Sequence, residues 1–122
     1  MAKLSQTELL EQLLYFTGTT QWYHLPGMKQ YTYTDGVRFL AQQAGAYWLL
    51  EHIFLHQSDE KINKEPFQNW KIVVNDDNSA TITVDEGNGK VLKTFNIPFT
   101  DFPIKEYEMY FIDNVLLLKG EY

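Results

Sequence analysis

Hydrophobic positions change their period near residue 66, and that change predicts helices first and strands after. Ser5-Gln6-Thr7-Glu8 is a capping box, in which the serine hydroxyl accepts from an early backbone N–H and the glutamate reaches back. Leu9, Leu10, Leu13 and Leu14 follow at helical spacing, with Phe16 behind them. The pattern predicts a helix over about 5–17 with Gly18 as a left-handed stop. Residues 19–34 have no clean period. Pro26-Gly27 marks a turn between two short β-prone pieces, Trp22-Tyr23-His24 and Tyr31-Thr32-Tyr33-Thr34, which predict a small hairpin or an ordered aromatic loop. Thr34 and Asp35 then offer caps for a helical region over about 35–57, striped by Val37, Leu40, Ala41, Ala44, Trp48 and Leu55. The stripe keeps its phase across Gly45, so it fits one long helix. A break at Gly45 fits as well, because glycine costs about 1 kcal/mol in a helix interior. After Gly45, AYWLLEHIFL is apolar on nearly every side, the pattern of a buried central helix. Such a helix is expected to lie between the N-terminal helix and a sheet.

SDEKINKEP (58–66) reads as a polar connector, and a period of two takes over beyond Pro66. Trp70, Ile72 and Val74 alternate with polar or outward positions, as do Ala80, Ile82 and Val84 after a turn at Asp76–Ser79. Asn88-Gly89 predicts a primed hairpin turn. Val91, Phe95, Ile97 and Phe99 form the expected inward set of a third strand, with Lys93 out of pattern. Thr100–Pro103 makes a corner, Tyr107, Met109 and Phe111 alternate, and Asp113-Asn114 turns into Val115–Leu118. The fold class is therefore α+β in a single domain over 1–122. N-terminal helices (about 5–17 and 35–57) pack on a C-terminal antiparallel meander sheet of about five strands.

Composition narrows the function classes. The chain has 122 residues with 44% hydrophobic side chains, enough for one core that buries roughly two-thirds of the unfolded surface. It has no cysteine, which excludes disulfides, thiolate metal sites and a cysteine nucleophile. The net charge is −6, with three basic and four acidic residues up to position 56 and seven and twelve beyond it. Arg38 is the one arginine, and no Lys/Arg cluster exists to grip a nucleic-acid backbone, so no nucleic-acid partner is expected. The N-terminus reads as a capped amphipathic helix rather than a signal peptide. AGAYWLLEHIFLH, cut by Glu51, His52 and His56, falls short of the about 20 apolar residues of a membrane span. The expected setting is the cytoplasm, without a membrane or a cofactor.

Three groupings could carry chemistry. His52 and His56 are four apart and share a helix face, a spacing that can chelate zinc with His24 as a third ligand. The residues between them supply no general base, so the same pair also reads as two histidines at the margin of an apolar helix. Asp76-Asp77-Asn78 and Asp85–Gly89 are oxygen-rich, but the glycine and glutamate of a calcium loop are missing at the sixth and twelfth positions. They read as hairpin turns. The aromatic segment is the main candidate surface: Trp22, Tyr23, His24, Tyr31, Tyr33 and Asp35 could line a pocket, with His24 as acid or base and Asp35 orienting it. The same residues could serve structure alone, Asp35 as a helix cap and the rings as core groups with polar tips. No phosphate-binding loop or nucleophile motif is present, so no catalytic residue is assigned.

Four strings in combination carry a family resemblance: LLYFTGTTQWYHLP (13–26), YTDGVRFLAQQAGAYWLLEHI (33–53), FQNWKIVVN (67–75) and FTDFPIKEYEMYFIDNVLLL (99–118). The chain resembles a family of small uncharacterised bacterial proteins, a domain of unknown function. The resemblance spans nearly the whole chain and implies a bacterial protein, with no activity, substrate or cofactor attached. His52 and His56 are not part of the family's hallmark strings, FTGT..WY, TDGV..LA..AGAYWLL and FTDFP. Two functions follow from the residues themselves. The first is a non-enzymatic accessory protein that binds another protein, or a second copy of itself, through surplus aromatic residues. The second is a small-molecule-binding or enzymatic domain with an aromatic pocket between helix and sheet.

Overall fold

Ser5 opens the first helix as its capping box dictates, accepting from the Glu8 N–H at 3.2 Å while the Glu8 carboxylate accepts from the Ser5 N–H. The computed structural model describes residues 5–122. Helix α1 spans Gln6–Leu13 and buries Leu9 and Leu13. It ends earlier than the 5–17 pattern implies. Leu14, Tyr15 and Phe16 leave through tightening bonds to Glu11, Gln12 and Leu13, and Gly18 is not left-handed. The ring of Phe16, 5.3 Å from that of Phe39, holds the exit against the second helix.

The helical region 35–57 is divided at Gly45. Helix α2 (Asp35–Ala44) starts at Thr34, whose hydroxyl accepts from the Val37 N–H, and stops where Gly45 takes φ 62°. The Gly45 and Ala46 N–H groups both return to the Ala41 carbonyl, a C-terminal lock that needs a left-handed residue. Helix α3 (Tyr47–Leu55) then buries Leu49, Leu50, Ile53 and Phe54 but leaves Leu55 and Tyr47 exposed. Its one-sided burial corrects the expectation of a helix enclosed all round, and α1 packs on α2. A 3₁₀ turn (His56–Ser58) and a short helix α4 (Glu60–Asn63) occupy the expected polar connector. Ile62 is fully buried there, and the Asp59 carboxylate caps the Lys61 N–H.

Six strands make the sheet: β1 (Thr32–Tyr33), β2 (Phe67–Val74), β3 (Ala80–Asp85), β4 (Val91–Ile97), β5 (Glu106–Ile112) and β6 (Val115–Leu118), in the order β1-β6-β5-β2-β3-β4. The α+β class and the antiparallel body stand as expected, while the connectivity differs in detail from a plain meander. β2, β3 and β4 run as neighbours, and β5 returns to lie beside β2, the order of a Greek key. Residues 98–105 make that return across the sheet end, pinned by Thr100 N–H to the Asn78 carbonyl and Val74 N–H to the Lys105 carbonyl. Phe102 and Ile104 are buried in it. The sixth strand, β1, joins β6 in parallel and comes from the aromatic segment before α2.

Turn chemistry departs from expectation in one hairpin and meets it in another. Asp113 and Asn114 take φ 51° and 64°, the primed geometry that joins β5 to β6. Between β3 and β4, Asn88 is not left-handed; a longer loop is gathered by the Glu86 carboxylate, which accepts from Asn88 and Lys90 N–H groups. A register shift between Val84 and Asp85 then moves the phase of β4, which leaves Val91 exposed. Phe99, past the strand, is exposed too. Lys93, opposite Val84, faces the same way as Phe95 and Ile97 and reaches Asp59 at 3.0 Å. An inward lysine on an edge strand obstructs pairing with another sheet.

The core lies between α2, α3 and the sheet face made by Trp70, Ile72, Ile82, Val84, Met109, Phe111, Leu116 and Leu118. Two buried glutamines cross it. Gln57 Nε2 donates to Gln68 Oε1 at 2.8 Å, and Gln68 Nε2 donates to Gln57 Oε1 at 2.9 Å. Trp70 Nε1–H also donates to Gln68 Oε1, at 2.9 Å, and Gln68 Nε2 reaches the Ile62 carbonyl at 3.0 Å. Replacing Gln68→Leu strands the Trp70 N–H and the Gln57 side-chain oxygen, while the Ile62 carbonyl keeps the Glu65 N–H. We expect a loss of about 3 kcal/mol, read as a lower urea midpoint at constant slope. A loss below about 1 kcal/mol would contradict the role assigned to this pair.

Candidate functional site

Asp35 organises the aromatic segment. Its carboxylate accepts from the Thr20 N–H at 3.1 Å and the Thr20 hydroxyl at 3.3 Å, and its other oxygen lies 3.0 Å from the Tyr23 hydroxyl. These bonds, led by that of the Thr20 N–H, hold the Asp35 carboxyl below its usual range. Arg38 lies 4.6 Å over the Tyr23 ring and donates to the Tyr23 hydroxyl at 3.3 Å. Tyr23 also forms an antiparallel bridge with Tyr33, so β1 is paired on both sides. The segment is thus tied down at its start and its end, with an irregular loop between.

The six candidate residues divide. Tyr23 and Asp35 are joined directly, and Tyr33 lies beneath them, buried, with its ring 5.8 Å from that of Tyr23. Burial pushes the Tyr33 hydroxyl up. Tyr31 turns inward, stacking on Phe54 at 5.4 Å and meeting Phe111 at 5.9 Å. Trp22 and His24 flank Tyr23 and, by strand alternation, take the other side; both are exposed. His24 is therefore not brought to Asp35, whose oxygens are already occupied.

His52 and His56 come together with ring centroids 4.3 Å apart, both against Phe95 of the edge strand, with Trp70 at the edge of His52. His56 Nδ1 lies 2.7 Å from the His52 carbonyl, a contact that suits N–H donation and leaves Nε2 as the acceptor nitrogen. His52 Nε2 is buried without a hydrogen-bond partner. No group of three or more His, Asp and Glu side chains among the described residues has metal-holding geometry. The oxygen-rich turns are closed on themselves: Asp77 accepts from Ser79, and Asp85 from Gly87.

Sequence reading overlooked a groove of about 380 Å³ between α1 and the chain's last strands. Leu10, Leu13, Leu14, Phe16, Tyr107 and Leu118 give it an apolar lining, with Glu106, Glu108 and Lys119 at its polar part. Leu14 is 79% exposed and Tyr15 beside it 83%. The four leucines were legible as one helical stripe, but the early end of α1 is what leaves Leu14 uncovered. Burial, and secondarily Glu121, push the Tyr107 hydroxyl up to about 12. Glu121 also clamps the chain end to α2, accepting from the Thr34 hydroxyl at 2.6 Å and the Gly36 N–H at 3.2 Å. A second cleft, of about 530 Å³, lies between the Pro26-Gly27 turn and α3.

Burial of His52, and secondarily its neighbour His56, depress its basicity from 6.5 to about 4. The unfolded chain therefore binds a proton that the folded chain refuses between those values, so stability falls as pH drops from 6.5 toward 4. His52→Phe should flatten that part of a urea-midpoint profile; an unchanged slope would show that another group carries it.

The curated proteins and the solved structures contain no match to the chain. A family model described as a family of unknown function, DUF6876, matches residues 7–122. That match takes in helices α2, α3 and α4, all of α1 but its first residue, the aromatic segment and all six strands, and the chain belongs to this family of unknown function.

Proposed function

We propose that this chain is a single-domain, cytoplasmic bacterial accessory protein that acts by binding another protein. The reading rests on the groove along α1. Leu10 and Leu14 are four apart, so they lie on one face of the helix, and both line the groove. An apolar helix ridge with an exposed leucine and tyrosine at its end is the usual form of a surface awaiting a partner. The occupant that fits is an amphipathic helix, whose apolar stripe would lie against Leu10, Leu14 and Phe16. The acidic balance of the chain, −6, favours a partner with basic flanks. No described helix is long and apolar enough to cross a membrane, and the absence of cysteine suits a reducing compartment.

The test is affinity recovery from the bacterial host, with the wild-type chain compared against a Leu14→Asp, Tyr15→Asp double variant. Both positions are exposed, so thermal melting should show the two proteins equally folded. Wild type should recover one protein in near-equal amount, and the variant should bind it about 30-fold more weakly. Equal recovery by both would remove the groove from consideration. A wild-type dimer that the variant breaks would make the occupant a second copy of the chain.

A further inference from the structure

The cleft at the Pro26-Gly27 turn has walls that three separate parts of the fold hold in place. Leu25 to Met28 is a tight turn, closed by the Met28 N–H on the Leu25 carbonyl at 3.0 Å. Pro26 stands at its second position and Gly27, with φ 77°, at its third, the arrangement of a type II turn. Leu25 and Met28 pack against the core, so the turn is anchored rather than loose. Tyr33 forms the floor; its backbone bonds Tyr23, and its strand pairs with β6 on the other side. The far wall is the outer face of α3, where Tyr47 and Glu51 stand four residues apart. A ligand would therefore find the site already formed.

Its lining is chemically uneven. Leu25, Pro26, Met28, Tyr33 and Tyr47 are apolar or aromatic, and Glu51 is the one charged member. The ion pairs of the described residues join Lys71 to Glu106, Lys93 to Asp59, Lys105 to Asp76 and Lys119 to Glu108, and none takes Glu51. Arg38, the one arginine, is committed to the Tyr23 ring and hydroxyl. A carboxylate beside phenol rings and a thioether repels anions. It favours a positive charge carried on an apolar body, since ring faces and sulfur both attract cations or polarisable groups. The volume of about 530 Å³ is in the range of small-molecule sites.

From this juxtaposition we infer that the cleft is a binding site for a small organic amine, held by Glu51 through its ammonium and by Tyr33, Tyr47 and Met28 through its apolar body. This goes beyond the protein-binding reading and uses different residues, so either can fail without the other.

The test is titration of the full chain with phenethylamine, followed by amide NMR, with 3-phenylpropan-1-ol as a neutral counterpart of similar size. Phenethylamine should saturate with a dissociation constant of about 1 mM or lower and shift the amides of Met28, Tyr33 and Tyr47. The alcohol should bind more weakly, and Glu51→Gln should weaken the amine about tenfold while leaving the alcohol unchanged. Tyr47→Leu keeps an apolar wall but removes a ring, and should also weaken the amine selectively. Equal binding of amine and alcohol, or no effect of Glu51→Gln, would overturn the inference. A lysine-bearing peptide that binds tighter than the amine with the same footprint would overturn the small-molecule assignment.

Discussion

The paired amides of Gln57 and Gln68 set the geometry on which the rest of the molecule depends. β2 is an interior strand, flanked by β5 and β3, and Gln68 is near its start on the core side. A glutamine there would be costly if unpaired, because both ends of its amide lose water. Gln57, placed by the turn that ends α3, satisfies it end to end, and the Ile62 carbonyl and Trp70 N–H complete the set. The amides therefore couple α3, the buried edge of α4 and the middle of the sheet in one satisfied network. Sliding α3 along the sheet would leave several buried groups unpaired together. That specificity is what a purely apolar layer of this size would lack.

From that fixed layer the two ends of the chain are held differently. The C-terminal end is drawn onto α2 by Glu121, which accepts from Thr34 and Gly36 at the positive end of the helix. A side chain at Gly36 would meet Leu118 Cδ1, 2.5 Å from its Cβ position, and the Glu121 carboxylate, so both side-chain ends would have to shift. The aromatic segment is drawn onto the same helix start by Asp35. α2 thus serves as the hub on which β1, β6 and α1 converge. The cleft at the Pro26-Gly27 turn is walled by α3, and the apolar groove by α1 and the last strands, at places where packing stops short of closure. One is polar at a single point and the other apolar along a ridge, which is why they suit different occupants.

The opposite edge of the sheet, β4, is protected by other means. Lys93 turns inward and is neutralised by Asp59, which also caps α4. Phe95 is covered by the two imidazoles of α3's end, and burial leaves His52 neutral at ordinary pH. The histidine pair acts here as half-buried packing against the Phe95 ring. The spacing of the pair was legible as a helical face. Its role was not, because spacing alone says nothing of the Phe95 ring that arrives from a strand some forty residues away in the chain.

Local rules were readable wherever a short run of residues decides the outcome. The Ser5 box, the Thr34 cap, the left-handed turn at Asp113-Asn114 and the alternation of β2 and β3 all follow from neighbours within about one helical turn or strand. The aromatic candidates were partly legible. Asp35 and Tyr23 belong together, yet Tyr31 faces the core and His24 the solvent, since the direction of a ring in an irregular segment depends on what packs beneath it. The break at Gly45 could be seen as an alternative, but it is decided by the way α3 must turn to cover the sheet. The return of β5 to β2, the parallel β1 and the exposure of Leu14 belong wholly to the tertiary structure. Each depends on a pairing between residues far apart in the chain, whose entropic cost and packing gain no local pattern records. By itself the sequence determined the class of the fold and most of its elements; only the assembled core decided which of their faces remained open to bind.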